Sequence, residues 1–228
     1  MKKLHRFLVS TLPDGPSYSI TDTTLVHQIG SVLRYKPGEQ CILFAQHTDD
    51  VVVTIQSLSK KEILVNPAQT IPARTSASRY IVAAVSIIKR DLFELVVQKL
   101  TELGVREIVP IISHRTIKQS IKPERLEAIA REAIEQSGQS ILPIIHPPTK
   151  LADALVRFPM QTIVFDPYQP ISTDPLQESV IYYIGPEGGW GEKDDALFQS
   201  RTVHYRTLGN TILRAETAAI VGAYELLR

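Results

Sequence analysis

Two hydrophobic rhythms divide this chain. Through residue 71 the apolar positions come in short runs, at 6–9, 40–44, 51–58 and 62–65, separated by turn formers such as Pro13-Asp14-Gly15 and Pro37-Gly38. Runs of this length between turn signals predict strands. Val51, Val52, Val53 and Ile55 are β-branched residues that suit a pleated surface. One helix interrupts them, with Thr23 as its cap and Leu25, Val26, Ile29, Val32 and Leu33 as its stripe. Several strands and one helix predict a small barrel-like domain. The pattern then breaks between Asn66 and Ser76, where Pro67, Pro72 and small polar residues stand.

From Tyr80 the rhythm is strand, helix, strand. Residues 81–88 are a near-continuous apolar run, the signature of a strand covered on both faces. Leu92, Val96, Leu100 and Leu103 then share one helical face, and Gly104 follows where a helix C-terminus favours glycine. Residues 105–112 predict the next strand. Pro123 stands at a first helical position, and the stripe of Leu126, Ile129, Ala133 and Ile134 runs on to Gly138. Shorter candidates follow at 143–145, 151–156 and 162–165. This alternation predicts an α/β domain with a mostly parallel sheet over residues 72–228, preceded by the β-rich domain of residues 1–71.

The last quarter concentrates the chemistry. The apolar run Ile181-Tyr182-Tyr183-Ile184 ends in Gly185-Pro186-Glu187-Gly188-Gly189-Trp190-Gly191. A second loop, Leu208-Gly209-Asn210-Thr211-Ile212-Leu213-Arg214, leads into Ala215-Glu216-Thr217-Ala218. Glycines let a backbone approach a ligand closely, and a glycine loop beside a helix N-terminus can wall a small-molecule pocket. Familiar alternatives fail on spacing. A dinucleotide fingerprint needs its glycines after the first strand of a βαβ unit, a phosphate-binding P-loop needs Gly-Lys-Ser/Thr, and no Gly-x-Ser-x-Gly elbow is present.

Composition changes the picture little. The 228 residues carry a formal charge of +1, so the chain is not a bulk polycation, and any contact with RNA must be local. His114, Arg115, Lys118, Lys122 and Arg125 form one basic cluster, which taken alone reads as a solvated loop and helix start ahead of an RNA contact. The single Cys41 excludes an internal disulfide, no cysteine cluster suggests a metal, and a reducing cytoplasm fits. No apolar stretch is long enough to span a bilayer, and no signal peptide is expected.

The two C-terminal motifs resemble the signature of the RsmE family, methyltransferases of the SPOUT group. The matching residues are Ile184 through Gly189, Leu208-Gly209, Ile212-Leu213-Arg214 and Glu216-Thr217-Ala218. Lys89, Phe93, Lys99, Glu102-Leu103-Gly104-Val105 and Arg115 match further upstream, as does Glu135-Gln136-Ser137-Gly138, although Gln139 stands where an arginine is usual. Looser matches at residues 5–9, His27 and 32–34 extend the resemblance to the N-terminal half. The resemblance implies a C-terminal trefoil-knot domain behind a PUA-like RNA-binding barrel. The implied activity is methylation of uridine N3 in small-subunit (16S) ribosomal RNA by S-adenosylmethionine. The implied partners are ribosomal RNA or the small ribosomal subunit, and a second copy in a homodimer.

On that footing, Gly185, Glu187 and Gly188 form one wall of the cofactor site, and Leu208, Gly209, Ile212 and Leu213 another. Ile212 and Leu213 sandwich the adenine or pack the core, and Glu187 holds the ribose or stabilises its turn. Uridine N3 must lose a proton, which calls for a base or for cations that stabilise the developing charge. Arg214 suits the second role. Glu216 is either the base or an ordinary acid complementing a helix N-terminus. Arg6, Arg34, Arg115 and Lys118 are the candidate RNA contacts, since guanidinium forks suit phosphate. Apolar Ile220, Val221, Tyr224, Leu226 and Leu227 on the terminal helix meet either a partner or their own sheet. The reading from another class is a non-catalytic RNA-binding or ribosome-assembly protein.

Overall fold

The computed structural model describes residues 4–72, 79–117, 120–169 and 171–228. The chain forms two compact units, one of Met1–Thr75 with Ile134–Ile141 and the other of Ser76–Ala133 with Leu142–Arg228.

In the first unit, β1 (Arg6–Leu8), β2 (Tyr18–Ile20), β3 (Gln40–Phe44), β4 (Asp50–Leu58) and β5 (Ile63–Ile71) form one sheet in the order β1-β3-β4-β5-β2. All its pairs are antiparallel except β1 with β3. Helix α1 (Thr23–His27) begins one residue before the position expected. Asp22 caps it through a carboxylate that accepts the Leu25 amide at 2.9 Å, a stronger acceptor there than the Thr23 hydroxyl. The apolar stripe continues through a π-helical turn, Gln28–Val32, so Leu25, Val26 and Ile29 still reach a core built on Phe7, Leu43, Val53, Ile55 and Val65.

The apolar pattern weakens at Asn66, but the last strand of this unit does not end there. Strand β5 runs through Pro67, which pairs with Val53, and the register against β4 slips next to it. Pro67 lies beyond the three β5 residues paired to β2, so its missing N–H removes no bond to that strand.

In the second unit, β6 (Tyr80–Ser86), α2 (Arg90–Leu103), β7 (Glu107–Ile112), α3 (Pro123–Ser137) and β8 (Ile144–Ile145) alternate as the sequence predicts. Gly104 ends α2 in the left-handed conformation, at φ 87°. There follow β9 (Thr149–Lys150), α4 (Leu151–Arg157), β10 (Gln161–Phe165), β11 (Ser179–Ile184), α5 (Glu192–Gln199), β12 (His204–Arg206) and α6 (Ala215–Leu227). The strands pair in parallel in the order β12-β10-β11-β6-β7-β8, with β9 also beside β7.

Alternate residues of β6 serve two cores. Ile81, Ala83 and Val85 pack with α2, α3 and α6, whereas Val82 and Ala84 pack with α4, Trp190 and Phe198. That division is why the run reads as continuously apolar. On the terminal helix, Ala219, Ala223 and Leu226 face the first core, Ile220 and Val221 are half-buried, and Tyr224 is 52% exposed. Leu226 therefore packs in its own unit rather than towards a partner. No helix among the described residues is long and apolar enough to cross a membrane.

Candidate active site

The parallel strands β10, β11 and β12 direct their C-terminal ends towards one cleft of about 1180 Å³. Three loops at this edge line it, Phe165–Gln169 after β10, Ile184–Trp190 after β11, and residues 206–208 and 211–214 after β12, joined by Lys89, Leu92, Arg115 and Ile117. The N-terminal turn of α6 closes one side with Arg214, Ala215, Glu216 and Ala218. Clefts beyond the carboxyl ends of strands are the usual ligand sites of open parallel sheets.

Buried contacts set these pieces. The Tyr182 hydroxyl of β11 donates to the Ala219 carbonyl at 2.8 Å, which ties α6 to the central sheet and leaves its first turn at the cleft. Burial pushes the Tyr182 hydroxyl well above its ordinary pKa, so it remains a donor. Gly185 lies against the Trp190 indole, and a Cβ there would approach the ring to 3.3 Å. Trp190 in turn meets Phe198 edge to face at 4.9 Å. The Asp194 carboxylate accepts the Gly191 amide at 2.9 Å and the His114 amide at 3.0 Å. Next to His114, Arg115 donates to the Gly188 carbonyl at 2.7 Å. Two segments far apart in sequence thus hold the glycine loop from both ends.

Of the expected cofactor residues, Gly185, Glu187, Gly188, Leu208, Ile212 and Leu213 line the cleft together with Arg214 and Glu216. Gly209 does not line it. At φ 109° it makes the turn that carries Leu208 and Ile212. Ile212 is 71% exposed and so is not core packing. Glu216 is only 8% exposed. The backbone amides of Leu208, Ile212 and Leu213 meet no acceptor among the described residues. Trp190 Nε1 and Arg206 Nε are likewise buried without a partner. The amides of Leu208, Ile212 and Leu213, with the carboxylates of Asp166, Asp195, Glu187 and Glu216, suit a ligand that carries hydrogen-bonding edges and positive charge.

Residues 75–225 match the family described as RNA methyltransferase domain. A ribosomal RNA small subunit methyltransferase E of Mesomycoplasma hyopneumoniae is 30% identical over 227 residues, spanning 95% of this chain and 96% of its own. The chain belongs to the ribosomal RNA small subunit methyltransferase E family. Its relative from Rickettsia conorii is 28% identical, covering 96% of this chain and 93% of that protein. A family member from Neisseria gonorrhoeae, solved bound to S-adenosyl methionine, superposes with a TM-score of 0.88 at 26% identity, covering 98% and 97% of the two chains.

In the present chain, the candidate RNA residues fare differently. Arg115 is exposed at the cleft and spends one nitrogen on Gly188. Arg34 is exposed, with a backbone φ of 56°. Arg6 is not available as a phosphate fork. Its guanidinium donates twice to Asp50 at 2.8 Å, once each to the carbonyls of Ile134 and Gln139, and lies 4.0 Å over the Phe44 ring. A carboxylate 44 residues away was invisible to sequence reading. Gln139 thus serves this corner through its carbonyl oxygen. Lys118 lies outside the described residues.

The motif reading missed Asp166, Arg206 and Asp195, which line the cleft from β10, β12 and α5. Burial, then the neighbouring carboxylates of Asp166 and Asp194, raise the Asp195 pKa above its ordinary value. The available signal was positional: Asp166 and Arg206 lie at or just past the ends of parallel strands.

Proposed function

We propose that this protein transfers a methyl group from S-adenosylmethionine to N3 of a uridine in small-subunit ribosomal RNA. The observation that carries this reading is the convergence of both C-terminal motifs on one cleft, in a chain of the ribosomal RNA small subunit methyltransferase E family. Bound there, the cofactor supplies a methyl group activated on a sulfonium.

Gly185 and Gly188 keep the cleft wall low. The amides of Leu208, Ile212 and Leu213 offer donors for a base edge, and Glu187 or Asp166 offers a carboxylate for ribose or sulfonium. Arg214 stabilises the negative charge that develops on the pyrimidine as N3 loses its proton. Glu216 either takes that proton or complements the dipole of α6, whose first turn it occupies. Because N3 is engaged in a base pair within a duplex, the uridine must be single-stranded or extruded.

The same proposal makes residues 72–228 a knotted catalytic domain and residues 1–71 a PUA-like RNA-binding barrel. For the knot, the support is that β12 lies at one sheet edge while α6 packs back on α2, β6 and β11. The connecting residues 207–214 share the cleft with the loops after β10 and β11. For the barrel, the support is the five-stranded sheet and the exposed Arg34. Arg115 contributes a further contact to RNA. Tyr224, with half-buried Ile220 and Val221, forms part of a homodimer interface. A ribosomal substrate and a single, buried Cys41 support a cytoplasmic enzyme.

The deciding experiment is calorimetric titration with S-adenosylhomocysteine, followed by mass mapping of small-subunit RNA after incubation with S-adenosylmethionine. Binding at one site per chain and a single N3-methyluridine are expected. No binding, even with ribosomal subunits present, would leave a non-catalytic RNA-binding protein.

A further inference from the structure

We infer that Tyr168 is the stacking platform that receives a base of the single-stranded RNA substrate. Tyr168 lines the cleft yet is 79% exposed. An exposed aromatic on its own signifies little. Here, however, the chain presents it on a stiff support. The Asp166 carboxylate accepts the Tyr168 amide at 2.9 Å, and the Asp166 amide is bonded to the Arg206 carbonyl of β12 at 3.1 Å. Pro167, between them, fixes one more backbone angle. A backbone held this way costs little further ordering when something stacks on the ring it carries.

The cleft has room for that occupant. Small-molecule sites generally run to roughly 300–1,000 Å³, whereas this one is about 1180 Å³. It carries exposed cations at Lys89, Arg115 and Arg214, which suit a phosphate backbone beside a base. Every base has a flat π-face, and unpaired bases are commonly received on tyrosine rings. Neither C-terminal motif includes Tyr168, so motif reading passes over it.

This inference rests on the methyltransferase reading, and two readouts separate them. The first is methyl transfer from S-adenosylmethionine to small ribosomal subunits by wild type, Tyr168→Ala and Tyr168→Phe. The second is anisotropy of a fluorescent uridine-rich oligoribonucleotide on the protein saturated with S-adenosylhomocysteine, with calorimetry of S-adenosylhomocysteine alone. Tyr168→Ala is expected to lower kcat/KM for RNA and oligonucleotide affinity at least about ten-fold, which equals about 1.4 kcal/mol. Affinity for S-adenosylhomocysteine stays within about two-fold, and Tyr168→Phe restores RNA affinity.

An equal loss of S-adenosylhomocysteine affinity would assign Tyr168 to the cofactor and overturn the platform. So would unchanged RNA affinity in Tyr168→Ala, or a Tyr168→Phe variant as weak as Tyr168→Ala. Tyr168-dependent oligonucleotide binding without methyl transfer by wild type would keep the platform and defeat the enzyme reading. A wild type that binds no oligonucleotide defeats the platform outright.

Discussion

The carboxylate of Asp194 accepts the backbone amide of His114 at 3.0 Å, joining residues 80 apart in sequence. The same carboxylate accepts the Gly191 amide at 2.9 Å, and Asp194 is almost fully buried. One side chain therefore fixes both the first turn of α5 and the segment that carries Arg115 to Gly188. Removing it strands two amides. Asp194→Ala should cost about 2–3 kcal/mol in urea unfolding. Affinity for S-adenosylhomocysteine should fall as well, because the glycine loop loses its anchor. Unaltered unfolding would show that the anchor is dispensable.

Arg214 caps α6 by position but makes no side-chain cap bond, and its exposed guanidinium lines the cleft. It is free to act on charge that develops only during reaction. Arg214→Ala should lower kcat about 100-fold or more, as loss of a transition-state donor does. Affinity for S-adenosylhomocysteine should change less than about three-fold. Single-turnover kinetics beside calorimetry read both, and retained turnover refutes the role.

Gly222 on α6 faces Phe165, whose ring borders the cleft; a Cβ at residue 222 would approach that ring to 2.8 Å. Two effects oppose each other in Gly222→Ala. The helix gains about 1 kcal/mol in propensity, while overpacking typically costs about 1–3 kcal/mol. The clash is with a ring that itself packs on Tyr182 at 5.9 Å, so it should win. A lower urea midpoint is expected, together with weaker S-adenosylhomocysteine binding.

Cys41 is fully buried in β3, and burial pushes its thiol up to about 12. An unfolded thiol ionises near pH 8.5. Above that pH the unfolded chain releases a proton that the folded chain retains, so this group favours unfolding increasingly as pH rises towards about 12. Cys41→Ala should lose that component of alkaline destabilisation. At pH 8 the native thiol should react with a disulfide reagent only at the rate of unfolding. Rapid labelling of folded protein would contradict its burial.

Much of this protein was present in one-dimensional pattern. The apolar run of β6, the stripe and glycine stop of α2, and Pro123 opening α3 appear where local periodicity places them, because each is satisfied by neighbours in sequence. The glycine and Leu-Gly motifs likewise located two of the three cleft loops. Local reading failed where a partner lay far away. Pro67 looked like a break because its tolerated place depends on where β2 stops pairing with β5. Arg6 looked like a free fork because Asp50 and the carbonyls of Ile134 and Gln139 are brought to it only by folding. The loop after β10, with Asp166 and Tyr168, has no motif of its own; it joins the cleft because β10 lies between β11 and β12. Which segments become strands and helices, and which residue types can bind a ligand, follow from the order of residues, because propensity and periodicity act between near neighbours. Which charges are already spent on the fold and which remain for chemistry emerges on folding, since that depends on distances between residues remote along the chain.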